Sequence, residues 1–206
     1  INDMSVRMTG ITRDYLESLW EQRNPAPSHS TALYDYAKIL AFSNGKPSEA
    51  FGTPYQVFDA QRKIARLPRP PFQFLDRITS VSGEPFAMKA GATCRAEVDI
   101  TADQWFFSSN RQSEIPFAVL LEIALQPCGW LAAYVGSALT SDEDLKFRNL
   151  GGQAIQHAAV CADSNTLITD VKLTSVSSSG GMIIQHYTYQ MTDRSGSLVY
   201  EGTTYF

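Results

Sequence analysis

The chain has 206 residues, 44% of them hydrophobic and 18% charged, with a formal net charge of −4. That size suits one globular domain with a lead-in segment, and the lack of any Lys/Arg cluster leaves no electrostatic footprint for a nucleic-acid partner. Three scattered cysteines, Cys94, Cys128 and Cys161, with no CxxC pair among them, make neither a disulfide framework nor a zinc site and point to a reduced, cytoplasmic setting.

Residues 12–22, TRDYLESLWEQ, read as a short helix with Thr12 as N-cap and Tyr15, Leu16, Leu19 and Trp20 on one face. NPAPSHS (24–30) is a loop. Residues 31–43, TALYDYAKILAFS, give a second amphipathic helix, stopped by Asn44-Gly45 and Pro47. An irregular run follows through FGTPYQVFDAQRKIARLPRPPF, where Pro68, Pro70 and Pro71 favour extended backbone. The boundary between a helical lead-in with an extended linker (1–69) and a core domain (70–206) falls near Pro70.

Beyond it the period changes from helical to alternating. FQFLDRITSVSG (72–83) and AMKAGATCRAEVDI (87–100) read as strands. After a long apolar stretch come LKFRNL (145–150) with its continuation QAIQHAAVC, then TLITDVKLTSVS (166–177), GMIIQHYTYQMT (181–192) and SLVYEGTTYF (197–206). Ser178–Gly181 and Asp193–Gly196 are hairpin turns. Two strands, one helix and several hairpin-linked strands make an α+β order. An antiparallel sheet wrapped around a long central helix fits it, which is the hotdog architecture. The chain has no initiator Met and stops at Tyr205-Phe206 inside an expected strand, so a piece of a longer protein is expected.

The helix is expected over 117–139. Pro116 suits its start, and Phe117, Val119, Leu120, Leu121, Ile123, Leu125, Trp130, Leu131, Tyr134 and Val135 leave it apolar all round. About 20 residues span ~30 Å, enough to cross a domain. Residues 115–139 also come closest to a membrane span, but Glu122, Gln126 and Pro127 interrupt them. A buried core helix is therefore expected, and no membrane partner. Pro127 should kink or split it, and the small residues Gly129, Ala132, Ala133 and Gly136 should let a sheet come close. A lone carboxylate in such a helix is costly. Glu122 either faces solvent, pairs with Arg111 or Arg148, holds its proton, or faces a cavity together with Gln126 one turn on.

WFF (105–107), a short loop, a proline at a helix start, an acid six residues later and a Gln four beyond resemble the bacterial 3-hydroxyacyl-acyl-carrier-protein dehydratases of the hotdog family. IPFAVLLEIALQPCGWLAAYVGSAL followed by LKFRNLGG is similar, more closely, to the dehydratase-like regions of polyunsaturated fatty acid synthases and related type I polyketide synthases. The resemblance covers roughly residues 50–206. It implies loss of water from a 3-hydroxyacyl thioester held on an acyl carrier protein, with no metal or cofactor. A histidine takes the α-proton, a carboxylic acid protonates the departing hydroxyl, and amides at the helix start polarise the thioester carbonyl. The acid and the histidine come from two hotdog units, joined in cis or as a homodimer.

Carried over residue by residue, Glu122 stands at the acid and Gln126 at its companion. Asn110 stands where the family has histidine, and an amide is no base near neutral pH. Phe117 stands where the family has glycine, so its ring crowds the backbone approach. Trp105, Phe107, Pro116, Phe117 and Ala118 are the implied substrate-binding positions. Of the three histidines, His29 lies in the lead-in, and His157 and His186 read as sheet residues. Cys128 lacks a local histidine for nucleophilic work.

Four functions follow. The leading one is a pseudo-dehydratase half that lends Glu122 to a histidine-bearing partner unit. The others are a stand-alone homodimeric dehydratase, a non-catalytic acyl-binding or scaffolding module, and a hotdog thioesterase.

Overall fold

The computed structural model describes residues 12, 14, 32–110 and 112–206. The helix expected at 12–22, apart from Thr12 and Asp14, the loop at 24–30 with His29, and Arg111 lie outside the described residues.

Among the described residues, six strands form one antiparallel sheet: β1 (Arg77–Ser82), β2 (Thr93–Asp99), β3 (Gly151–Gln156), β4 (Thr166–Ser179), β5 (Met182–Thr192) and β6 (Leu198–Tyr205). Their spatial order is β1-β2-β4-β5-β6-β3. Strand alternation sorts the faces. Leu167, Thr169, Val171 and Leu173 of β4 and Tyr187, Tyr189 and Met191 of β5 are buried, while Asp170 and Lys172 between them are exposed. On the buried face lies the long helix α4 (Phe117–Tyr134), packed against β2, β4 and β5. Sheet and helix together are the hotdog arrangement.

Among the described residues, three short helices precede α4 in the chain: α1 (Tyr36–Ser43), α2 (Pro47–Phe51) and α3 (Trp105–Ser109). The second expected helix starts later than 31 because Asp35 caps it, its carboxylate accepting from the Lys38 amide at 3.0 Å. Leu33 and Tyr34 instead donate their amides to the Ile78 carbonyl. Pro47 not only follows the stop of α1 but opens α2, and the run beyond holds a 3-10 turn at Thr53–Asp59 that sequence periodicity did not show. These lead-in pieces share the helix's core. The Tyr55 hydroxyl donates to the Ala133 carbonyl, and the Tyr34 and Phe51 rings pack on Trp130.

Four strand and helix expectations shift. Only 77–82 of 72–83 joins the sheet, and β2 begins at Thr93, because Met88 and Gly91 adopt positive φ and turn the chain before it. LKFRNL forms no strand. Pairing starts at Gly151, where β3 runs against β6 from Gly151↔Tyr205 to Gln156↔Tyr200. A Cβ on Gly152 would overlap the backbone of Thr203 and Thr204, so glycine lets the two strands close.

The helix ends at Tyr134, not 139, since Gly136 adopts φ 87° and only a 3-10 turn, Ser137–Leu139, follows. Pro127 does not split it. It removes one backbone hydrogen bond, and packing on all sides outweighs that loss. Gly129 meets not the sheet but Leu67 and Phe147, whose side chains lie 3.2 and 3.5 Å from where its Cβ would stand. The stretch Phe117–Leu139 is long and apolar enough to span a membrane, yet most of it is buried inside the protein, as a core helix requires.

Candidate active site

Glu122 and Gln126 lie one turn apart on α4, and the turn places both polar heads on one side. Gln126 is only 2% exposed. Its Oε1 accepts the amides of Phe74 (2.8 Å) and Leu75 (3.1 Å). Its Nε2 donates to the Phe72 carbonyl (2.7 Å) and to Glu122 Oε1 (3.1 Å). Both lone pairs and both protons of the amide are therefore occupied. Gln126 has no capacity left for a substrate; it ties the extended arm 72–75 to the helix and sets the orientation of Glu122. Its bonds hold 72–75 extended until Asp76, whose amide donates to the Glu97 carbonyl of β2 at 3.1 Å.

Glu122 is half-buried and borders a cavity of about 130 Å³. Arg66, Leu67 and Pro68 of the lead-in, Phe147, Asn149 and Phe206 close its other sides. At ~30 Å³ per water-sized group, it holds about four such groups. Among the described residues Glu122 forms no ion pair, and Arg148 is not its partner. Arg66 brings positive charge to the same cavity. Its Nη1 donates to the carbonyls of Phe42 (3.0 Å) and Gly45 (2.9 Å), and burial lowers its pKa from the usual arginine value.

The start of α4 forms a second chamber. Pro116 provides no side-chain cap, and its carbonyl accepts the amides of Val119 and Leu120. The amides of Phe117 and Ala118 have no intrahelical acceptor by the geometry of a helix end. Phe117 is 47% exposed and leans edge-on against Tyr200, ring centres 5.3 Å apart. A cavity of about 240 Å³ lies beside it, between Leu121 and Leu125 of the helix and Gly152, Ala154 and Thr204 of the sheet. Leu125 and Asn149 border both chambers, so they form the partition between the helix start and Glu122.

The remaining sequence candidates stand nearby or apart. Trp105 donates its indole N–H to the Pro71 carbonyl at 3.1 Å and packs on Phe72 and Phe74. It thus braces the arm that Gln126 holds. Phe107 packs against the buried Phe106. Asn110 ends α3 and donates Nδ2 to the Glu114 carbonyl at 3.0 Å, which closes the loop before Pro116. It does not line the Glu122 cavity. His157 pairs with Glu201 at 2.9 Å and His186 stacks on Tyr205. Cys94 and Cys128 are buried thiols whose burial pushes both pKa values up. No His/Cys/Asp/Glu cluster fit for a metal occurs among the described residues.

Sequence reading missed the lead-in wall Arg66–Pro68, the partition residue Asn149 and the sheet floor at Tyr189. Each meets the helix only through the fold, and no local pattern marks it.

A family model described as a FabA-like domain matches residues 67–202. One of the subunits of the polyunsaturated fatty acid synthase of Thraustochytrium sp. is 28% identical over 178 residues, which is 82% of this chain; the chain spans 12% of that relative's length. Among solved structures, the dehydratase heterocomplex ApeI:P from Xenorhabdus doucetiae is similar with a TM-score of 0.49 at 17% identity, over 66% of this chain and 83% of that one. A hypothetical thioesterase protein with coenzyme A from Streptococcus pneumoniae TIGR4 is similar with a TM-score of 0.42 at 13% identity, over 61% of this chain and 81% of that one.

Proposed function

This chain belongs to the FabA-like domain family, and on that premise we propose that it is one half of a 3-hydroxyacyl thioester dehydratase within a fatty acid or polyketide synthase. The carrying observation is the Gln126–Glu122 pair: a carboxylate beside a cavity, oriented by an amide that the backbone arm holds rigid. In the reaction, a base takes a proton from C2 and its electron pair forms the C2=C3 bond. The C3–O bond breaks as an acid protonates the departing hydroxyl, which leaves as water. Glu122 is the acid.

The base comes from another hotdog unit, because Asn110 occupies the family's histidine place and its amide is committed to the Glu114 carbonyl. β3 supports such pairing. It is one of the two edge strands, with the apolar Ile155 on it and Leu150 just before it exposed, and an open edge invites another strand. The substrate is an acyl thioester on an acyl carrier protein. The helix-start amides of Phe117 and Ala118 lie on the other side of the Leu125–Asn149 partition from Glu122, and the Phe117 ring restricts what reaches them.

The test uses the complete synthase. Glu122→Gln keeps the shape but removes the transferable proton, so dehydration falls at least tenfold, against ~10²–10⁴-fold for a general acid or base. Asn110→Ala leaves the rate unchanged. Full activity of Glu122→Gln with the fold intact makes the unit a scaffold. Enoyl product made by this unit alone, and lost on Asn110→Ala, makes it a complete enzyme.

A further inference from the structure

We propose that the chamber at the start of α4 selects an acyl group that carries an oxygen in its chain, beyond the reacting carbons, and that Tyr189 is the residue that reads it. The proposal rests on the dehydratase reading for the thioester but not for the preference.

Tyr189 is 2% exposed, and its hydroxyl has no hydrogen-bond partner among the described residues. The same residue lines the 240 Å³ chamber. It reaches that chamber across its cross-strand partner Gly202, where an added Cβ would stand 2.6 Å from the phenol oxygen. Glycine is therefore what lets the hydroxyl extend from β5 toward β6 and β3, whose Ala154 and Thr204 also line the space. Behind it, Tyr200 stacks parallel at 6.2 Å, with a second buried and unpartnered hydroxyl. Burial pushes both phenols up, Tyr200 to about 12, so at neutral pH each arrives as an O–H donor.

A buried donor left unmade is costly. Leu121, Leu125 and Phe117 supply the apolar wall that an alkyl chain needs, and the phenol adds one directed donor facing it. The space holds about eight water-sized groups, enough for a short acyl segment with one carbonyl or hydroxyl. Sites that donate to a substrate oxygen discriminate far better than sites that measure only chain length.

The test uses the complete synthase and two stable probes, hexanoyl-pantetheinamide and 5-oxohexanoyl-pantetheinamide, with affinity read by calorimetry. The wild type is expected to bind the oxo probe about tenfold tighter. Tyr189→Phe should remove that margin and leave the hexanoyl affinity within twofold. Equal binding of the two probes by the wild type, or a margin that survives Tyr189→Phe, overturns the preference while leaving the dehydratase reading intact. Failure of both probes to bind overturns the chamber and the dehydratase reading together. Glu122→Gln keeps the margin, since Glu122 lies beyond the Leu125–Asn149 partition.

Discussion

Replacing Gln126 with leucine tests the clamp on which the candidate acid depends. The change keeps the volume but removes the acceptor shared by the Phe74 and Leu75 amides and the donor to the Phe72 carbonyl. Three backbone bonds are lost, two of them at fully buried residues. At ~1–3 kcal/mol for each buried group deprived of its partner, the sum is ~3–9 kcal/mol. Phe72 is half-buried and water can reach it, so the lower part of that range, ~3–5 kcal/mol, is expected. Urea denaturation should show the midpoint falling by roughly 2 M at a slope of ~2 kcal/mol/M.

A companion change, Gln126→Glu, keeps the acceptor but sets a carboxylate against the Phe72 carbonyl and Glu122. Burial and those two acceptors raise the new carboxyl's folded pKa above its unfolded value of ~4.3. Its destabilisation is then full at pH 7 and fades as pH falls through the folded value toward ~4.3. Gln126→Leu shows no such recovery. If Gln126→Leu costs under ~1 kcal/mol, or the two variants track each other between pH 7 and 4.5, the clamp argument is wrong.

The ion pair at the β1–β2 edge offers a second test. Arg77 bonds Glu97 at 2.7 Å and Asp99 at 2.6 Å with all three side chains largely buried, so Arg77→Ala should cost ~3–5 kcal/mol in denaturation. Burial opposes ionisation of Asp99, but the hydrogen bonds from Arg77 and Thr166 and the Arg77 charge outweigh it and hold its pKa below the usual value. Its contribution is present above ~pH 3.9 and is lost as pH falls through the folded value; Arg77→Ala should flatten that acid limb. Gly136→Ala should destabilise by ~2 kcal/mol or more, seen as a lower Tm, because φ is 87° and the new Cβ lies 2.8 Å from Phe86 Cα. Tyr55→Phe should cost ~0.5–1.5 kcal/mol, the net worth of one hydrogen bond, because the Ala133 carbonyl keeps the Gly136 amide; no change in midpoint would show that the lead-in does not brace α4.

Elements whose signals are local could be read from the residues alone. A stretch that is apolar at nearly every position from Phe117 to Val135 has nowhere to go but the interior, so the core helix was legible. The hairpins at Gly180-Gly181 and Asp193–Gly196 mark their own turns, so β4, β5 and β6 fell within two residues of their observed ends. Glu122 and Gln126 stood out because polar heads in an apolar helix demand partners. Which partners they find depends on the folded chain. Gln126 bonds residues 51 to 54 positions away, and no periodicity carries information over that distance. LKFRNL alternates as a strand should, yet pairing starts only at Gly151, opposite Tyr205, and at Gly152 the β6 backbone leaves no room for a Cβ. Tyr189 reads as one more inward strand residue until Gly202, opposite it, leaves the space through which its hydroxyl reaches the chamber. Local sequence sets the backbone's preferences; cavities arise where distant segments fail to fill the space between them, and that depends on every segment at once.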